Sequence, residues 1–245
     1  MGNSSSSPLE SCLTNALSRV DFSLPNDPLY QLSAVNAYNK AFTITPAAVT
    51  RPRNADEIAA VVRCAADQGL KVQPRSGGHS FADFSIGGQD GAVVVDLTHF
   101  QHFSMDTTNW HATIGGGTLL GDVTQRLHDN GGRAMAHGTC PQVSGRSERN
   151  FKVLPHALFI IPGRNRRYLS GVFKFYCDST DPFSGHATIG GLGPPSRLWG
   201  SALDHILEVE VVLANSTITR ASEALNPDIF FVRFTLPSAS YLTPS

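Results

Sequence analysis

The side chains best suited to chemistry lie in two short runs. The first is Pro74-Arg75-Ser76-Gly77-Gly78-His79-Ser80, in which an imidazole follows residues with small or absent side chains. The second, His137-Gly138-Thr139-Cys140, comes about sixty residues later and adds a thiol and another imidazole. Small residues let main-chain N–H groups approach an anionic ligand closely. Together the two runs predict a phosphate-bearing cofactor that the backbone binds and that side chains can attach to the protein.

Taken singly, these residues also have ordinary structural explanations. A lone histidine such as His79 is usually structural or exposed, and Cys140 by itself is more typical of a buried hydrophobe than of a nucleophile. A thiol activated by His137 would suit nucleophilic chemistry. A metal site built from His79, His137 and Cys140 is a further alternative, although its order and spacing match no familiar metal-binding pattern.

A third run, Gly115-Gly116-Gly117-Thr118, is either a tight turn or a ligand cradle. It lacks the Gly-Lys-Ser/Thr ending of a nucleotide P-loop. No G-x-G-x-x-G run followed by a suitably placed acidic residue supports a Rossmann site. By itself the run is more typical of a tight turn.

Length and charge narrow the class of protein. The 245 residues suffice for one large or two small domains, and the formal net charge of −1 gives no reason to expect nucleic acid as a partner. No apolar run is long enough to cross a bilayer, and the start shows no secretory leader, which favours an intracellular location. The start does match Met-Gly-x-x-x-Ser, so we expect membrane contact only if Gly2 is myristoylated; the alternative is a flexible serine-rich tail.

Helices and strands alternate along the chain, which predicts an α+β or α/β class. Asn54 and Glu57 form a capping box that begins a helix, and Gly69 is a plausible stop. The run from Ala92 to Leu97 is continuously apolar, as in a buried strand. The other predicted elements are strands at Lys71–Pro74 and Trp110–Ile114, a helix through Val123 to Asn130, a hairpin of Ile206–Leu213 with Thr217–Ala221, and a helix capped by Asn226 with Pro227 at its first position.

Residues 144–184 differ in composition from their surroundings. They hold seven Lys or Arg against three Asp or Glu, and seven of the twenty-one aromatic residues, with no clean period. Long structureless loops are uncommon inside compact domains. The segment is therefore a surface insertion with a binding role, a loop of its own, or sequence foreign to the fold, such as a translated intron.

Several ordered motifs resemble the FAD-binding domain of berberine-bridge-enzyme-like oxidases, in the p-cresol methylhydroxylase and vanillyl-alcohol oxidase superfamily. They are the Arg75–Ser80 run, the strand at Val93–Leu97, His137-Gly138-Thr139-Cys140-Pro141, the Gly185–Gly191 run, and the stretch from Trp199 to Ala221. The resemblance implies an α+β domain of the p-cresol methylhydroxylase type, with mixed sheets flanked by helices. It covers about residues 47 to 228, apart from the atypical segment.

The resemblance also implies roles for single residues. His79 would bond to the flavin 8α carbon and Cys140 to flavin C6, giving a doubly tethered FAD. The remaining cofactor-binding residues would be Arg75, Ser76, Gly77, Gly78, Ser80, His137, Gly138, Thr139, Gly185, His186 and Gly190. The four cysteines show no zinc-binding spacing. Cys64 could be a buried hydrophobe or pair with Cys12, and the resemblance implies the pair.

The chain departs from the family pattern in two places, and this sets the predicted domains. Residues 1–45 are predicted as a tail and lead-in, 46–231 as the FAD-binding domain interrupted at 144–184, and 232–245 as an atypical tail. A substrate domain is expected to be missing, and no catalytic base can be named. The expected function is an FAD-linked oxidoreductase that moves hydride from an alcohol, sugar or amine carbon to flavin, with reoxidation by dioxygen. The alternative is a non-catalytic flavin-binding remnant, or a fragment that arises from a wrong gene model.

Overall fold

Two sheets with packed helices make up the fold. The structure, a computed structural model, describes residues 6–138, the backbone of 153–157, residue 187 and residues 190–230. One sheet has four strands of mixed direction, and the other has five antiparallel strands. This confirms the predicted α+β class. No helix within the described ranges is both long and apolar enough to cross a membrane.

The four-stranded sheet carries the first chemical run. Its strands are β1 (Phe22–Ser23), β2 (Ala48–Thr50), β3 (Val72–Arg75) and β4 (Val93–Asp96), in the order β1-β2-β4-β3. β4 runs parallel to both of its neighbours. Its side chains point alternately to two cores, Val93 and Val95 to one and Val94 to the other. A strand covered on both faces needs apolar residues at every position, which explains the continuous run in the sequence.

Two helices cover one face of this sheet. α1 (Pro8–Ala16) and α2 (Ala55–Asp67) pack together, and Leu13 and Ile58 are fully buried in the shared core. Asn54 caps α2 as predicted, because its side chain accepts the N–H of Glu57 at 2.9 Å. A disulfide joins Cys12 to Cys64 across the two helices, with Cα atoms 5.7 Å apart. The pairing implied by the family resemblance is confirmed.

The opposite face is covered by residues predicted to be a tail and lead-in. A π-helix, Tyr30–Val35, packs Tyr30, Ala34 and Val35 against Val94. β1 pairs with β2, so the sheet extends across the predicted boundary at residue 46. The lead-in therefore packs on the same sheet as the residues after it, and the domain division at residue 46 stays a prediction. The sequence analysis did not predict these two elements, because the π-helix and a two-residue strand leave no clear periodicity.

The second sheet is a meander around α3. Its strands, in spatial order, are β5 (Phe103–Asp106), β6 (His111–Gly115), β7 (Val153–Ala157), β8 (Glu208–Val212) and β9 (Ile218–Ser222). The helices of this part are α3 (Leu120–Asp129) and a short α4 (Ser196–Trp199). The predicted hairpin is β8 and β9, paired over five residues from Glu208↔Ser222 to Val212↔Ile218. α3 buries Leu120, Val123 and Leu127 against this sheet.

The central strand of that sheet comes from the atypical segment. β7 lies between β6 and β8, although the sequence of residues 144–184 shows no strand periodicity. Its pairing is short, with two register pairs to β6 and an irregularity between Val153 and His156 on the β8 side. The rest of the segment lies outside the described residues, so its origin stays a prediction.

Asn226 does not cap the last helix in the predicted way. Residues 227–230 are helical from Pro227 onward, as predicted. However, the Asn226 side-chain amide donates to the Arg220 carbonyl at 2.7 Å and to Thr219 Oγ1 at 3.1 Å. Its backbone is left-handed, with φ of 50°. The amide therefore ties the helix start to β9 and does not accept an N–H of its own helix, which corrects the predicted cap.

Candidate functional site

The first run forms a turn at the end of β3. Gly78 adopts a φ of 76°, a left-handed conformation that favours glycine. The turn is closed by the N–H of Ser80, which donates to the Gly78 carbonyl at 3.0 Å. Ser76, Gly77, Gly78 and His79 are all half-buried. A partly accessible turn with this backbone can direct main-chain N–H groups at an anion.

Arg75 supports this turn from the protein interior. The Arg75 guanidinium is buried and pairs with Asp96 Oδ2 at 2.6 Å. It also donates to the carbonyls of Val35 and Ala34, at 2.6 and 2.9 Å. A buried charge requires such partners. The donors of the Arg75 side chain therefore face the fold, and contact between residue 75 and the cofactor stays a prediction.

Ser80 is likewise an internal support. Its side chain is fully buried, and its hydroxyl oxygen accepts the N–H of Phe84 at 2.7 Å. This bond shapes the chain that leaves the turn. Of the predicted set, Ser76, Gly77, Gly78 and His79 thus form the accessible part of the first run.

His79 lies in a small aromatic cluster. Its ring centroid is 4.0 Å from that of Tyr38, with the planes inclined at 40°. Phe81 contacts both rings edge-on, with centroids 6.1 Å from His79 and 5.1 Å from Tyr38. Phe81 is 69% exposed. Sequence reasoning did not single out Tyr38, because it lies about forty residues upstream in the predicted lead-in.

The third glycine run lies against the first. The Ser76 hydroxyl donates to the Gly116 carbonyl at 2.6 Å. A Cβ on Gly115 or Gly117 would collide with the backbone around Phe100 or Leu97, so both glycines allow close packing of main chain. This favours the tight-turn interpretation for those two residues. The run is nevertheless part of the site, because Gly116 joins it to Ser76 in the turn after β3.

Thr118 adds a polar group that sequence reasoning overlooked. Its side chain is fully buried, and within the described part of the chain its hydroxyl has no hydrogen-bond partner. Buried polar groups normally have partners, so an orphan hydroxyl next to a glycine run indicates a missing ligand or water. Together with the left-handed Gly78 turn, it fits a site for a polar, phosphate-bearing cofactor. The signal was a threonine directly after three glycines.

The second run is described as far as Gly138, so Thr139 and Cys140 lie outside the described residues. His137 Nδ1 lies 2.7 Å from the Gly138 carbonyl, which can only accept, so Nδ1 carries the proton. Its Nε2 lies 2.8 Å from Thr124 Oγ1 on α3. Desolvation lowers the pKa of His137 below its usual range, while the bond to the Gly138 carbonyl acts in the opposite direction. His137 is therefore a neutral ring that ties the run to α3.

A fourth loop packs against the second run. A Cβ on Gly193 would lie 2.9 Å from His137 N and 2.6 Å from its carbonyl carbon, so the two backbones touch. Gly190, from the predicted set, has a φ of 119° and accepts the N–H of Leu203 at 3.0 Å. Gly185 and His186 lie outside the described residues. The fold thus brings the chain after the atypical segment back to the run before it.

No group of three potential metal ligands occurs among the residues that the structure describes. The alternative of a metal site at His79, His137 and Cys140 is untested, since Cys140 is outside them. What the described residues form is a half-buried glycine turn with an imidazole, bordered by a second glycine loop and an unpaired buried hydroxyl. Such a turn can form an anion-binding concavity, which suits a phosphate-bearing cofactor.

Comparison with known proteins identifies the type. Residues 46–145 match the family described as FAD binding domain. The FAD-linked oxidoreductase sorD of Penicillium rubens is 39% identical over 84% of this chain, which corresponds to 35% of that relative. The chain thus contains a match to the FAD binding domain and is similar to FAD-linked oxidoreductases of the berberine-bridge-enzyme-like family. It spans about a third of the length of the curated relatives that it matches.

Solved structures agree with this assignment. The xylooligosaccharide oxidase from Myceliophthora thermophila, in complex with xylobiose, is 32% identical with a TM-score of 0.72, covering 93% of this chain and 40% of its own. The glucooligosaccharide oxidase from Acremonium strictum, solved in work on its 6-S-cysteinyl, 8α-N1-histidyl FAD, is 28% identical with a TM-score of 0.70, covering 93% and 39%. The predicted domain type and FAD as the cofactor of this family are confirmed.

Proposed function

We propose that this chain provides the FAD-binding part of an oxidase that acts on a carbohydrate, alcohol or amine carbon. The observation that carries the proposal is the turn at Gly78, which holds the His79 imidazole at the accessible end of a parallel strand. The relatives named above include xylooligosaccharide and glucooligosaccharide oxidases, which favours an oligosaccharide among the three substrate classes. FAD supplies hydride acceptance and electron transfer to dioxygen when it is bound.

The residues of this chain would bind and hold the cofactor. The N–H groups of Gly77 and Gly78 would donate to its pyrophosphate, and Thr118 would offer a hydroxyl. The His79 imidazole would form one covalent bond to FAD, and the Cys140 thiol a second one. Each bond would replace a C–H bond of the flavin and an N–H or S–H bond of the side chain, with the two protons released to solvent and the electron pair passed through the flavin to dioxygen. The 6-S-cysteinyl, 8α-N1-histidyl FAD of the glucooligosaccharide oxidase from Acremonium strictum supports this pairing of residue types. Gly138, Thr139, Gly185, His186 and Gly190 would contact the remaining length of the ligand.

The first experiment asks whether the chain binds FAD covalently. The purified chain would be incubated with FAD, denatured, separated on a gel and viewed for flavin fluorescence. We expect a fluorescent band, and we expect His79→Ala to lose one tether, as seen in the intact mass and in the flavin absorption spectrum. If both linkages persist in His79→Ala, the assignment of His79 is refuted.

The second experiment addresses the reaction. Hydrogen peroxide formation would be measured with xylobiose, a simple primary alcohol and an amine, each in air. If the chain forms the whole catalytic site, we expect peroxide with the sugar. A chain that binds flavin covalently and yields no peroxide with any of the three would be the FAD-binding part alone or a flavin-binding remnant, and the first experiment would still stand.

The compartment is a separate proposal. Disulfides persist in oxidising environments, so the Cys12–Cys64 bond favours such a setting over the intracellular one expected from the first residues. Gly2 lies outside the described residues, and membrane contact through its acylation stays a prediction. Localisation of the tagged protein in a eukaryotic host would decide between the two.

A further inference from the structure

The lead-in segment is hydrogen-bonded to Arg75, which directly precedes the turn at residues 76–80. We call this turn the attachment turn. Two consecutive carbonyls at the end of the π-helix, Ala34 and Val35, accept hydrogen bonds from the Arg75 guanidinium. Both carbonyls lie on a segment upstream of the residues that match the FAD-binding family, which begin at position 46. The start of the turn is therefore fixed relative to the lead-in by a buried charged group.

A second set of bonds holds the far side of the turn. The Asn39 side-chain amide donates to the Phe81 carbonyl at 2.7 Å. The backbone N–H of Asn39 donates to Asp83 Oδ1 at 3.2 Å, and Asp83 is fully buried. The lead-in thus contacts the chain both before and after His79. Between these two anchor points, residue 38 has little freedom to move away from the turn.

Tyr38 occupies that position and lies over the imidazole. Its ring centroid is 4.0 Å from that of His79, and Phe81 packs edge-on against both rings. This close contact, with the two ring planes inclined at 40°, restricts rotation of the imidazole about its side-chain bonds. An attacking nitrogen must be held in a narrow range of directions for a bond to form efficiently. Restricting the ring therefore bears directly on attachment.

We propose that Tyr38 is a positioning residue for His79, which orients the imidazole for covalent attachment of the flavin. The aromatic face carries this role, and the phenolic hydroxyl is dispensable for it. The inference rests on the proposed function, because it needs His79 to be the attachment residue. Tyr38 lies upstream of residues 46–145, which match the FAD binding domain.

The experiment measures attachment separately from binding. A Cys140→Ala background leaves only the His79 tether. In that background, Tyr38→Phe, Tyr38→Ala and Tyr38→Leu would be incubated with FAD, and the covalent fraction would be followed over time by intact mass and in-gel fluorescence. Non-covalent affinity would be measured by the quenching of flavin fluorescence at early times. Phe42→Ala is the matched control, since Phe42 is an aromatic residue of the same segment that is 56% exposed.

We expect Tyr38→Phe and Phe42→Ala to attach flavin at the parental rate. Tyr38→Ala and Tyr38→Leu should attach it about two- to tenfold more slowly, which is the range that one aromatic contact provides, with little change in affinity. Tyr38→Leu retains apolar bulk, so it gives an answer if Tyr38→Ala fails to fold. Parental rates in a folded Tyr38→Leu protein would overturn the proposal. If only His79→Ala loses attachment, the proposed function stands and the role of Tyr38 is refuted. If the parent attaches no flavin, both the proposed function and the role of Tyr38 are refuted.

Discussion

The attachment turn at residues 76–80 and the second run at 137–138 are held by different kinds of contact. The first rests on a buried ion pair between Arg75 and Asp96 and is enclosed by the lead-in. The second is tied to α3 through the exposed Thr124 and packs its backbone on Gly193. Removing one partner of a buried ion pair strongly destabilises a protein, whereas a single hydrogen bond at the surface contributes little to the free energy of unfolding. The first turn should therefore be the more rigid of the two.

Breaking the buried ion pair should have the largest effect. Asp96→Asn keeps the shape of the side chain but leaves the Arg75 charge buried without its counter-ion, which costs about 3–5 kcal/mol of unfolding free energy. Urea denaturation measures the loss. The control is Glu210→Gln, which removes one partner of Arg220, a residue 59% exposed, and should cost less than about 1 kcal/mol. Similar losses of unfolding free energy in Asp96→Asn and Glu210→Gln would contradict the greater importance of the buried pair.

Removing the disulfide tests how much α1 and α2, which cover the sheet that carries the first turn, depend on their covalent link. Cys12 and Cys64 are 52 residues apart in sequence. The double variant Cys12→Ser, Cys64→Ser should lose about 2–4 kcal/mol, mainly because the unfolded chain gains freedom. Thermal unfolding with and without a reducing agent supplies the measurement. A melting temperature that the reductant leaves unchanged in the parent would show that the bond is not formed in solution.

A single methyl group added at Gly193 should weaken the packing of the second run. Gly193→Ala places a Cβ against the backbone of His137, which cannot move aside as a flexible side chain would. We expect a loss of about 1–3 kcal/mol and lower occupancy of any tether at Cys140. Leu192→Ala is the control, because Leu192 is 73% exposed and its truncation should change stability by less than about 0.5 kcal/mol. Equal stability of the two variants would argue against this packing.

The smallest effect concerns pH. Desolvation holds the pKa of His137 below the usual value of 6.5, so the unfolded state binds a proton more readily than the folded state. Its contribution to stability is present above pH 6.5 and is lost as the pH falls towards the lower folded pKa. His137→Gln should remove this part of the pH dependence, measured by urea unfolding between about pH 5 and 8. A constant stability difference between variant and parent across that range would refute it.

Local signals identified most elements correctly. The α2 cap at Asn54, the apolar β4 strand and the β8–β9 hairpin all depend on residues that are close in sequence. Asn226 shows the limit of this reasoning, because its amide binds a strand that precedes it and not its own helix. β7 shows a second limit, since its place depends on two distant strands and not on its own pattern.

The sequence by itself determined the candidate chemistry of the turn, because the order Gly77-Gly78-His79 sets its backbone freedom and places an imidazole at its end. It also specified the apolar strands and helices that had to carry that turn. Only the tertiary structure decided that Arg75 faces inward, that Tyr38 lies over the imidazole, and that Gly193 returns to His137. These contacts join residues 21 to 56 positions apart, and such distances are closed by burial of the shared core, which no local pattern encodes.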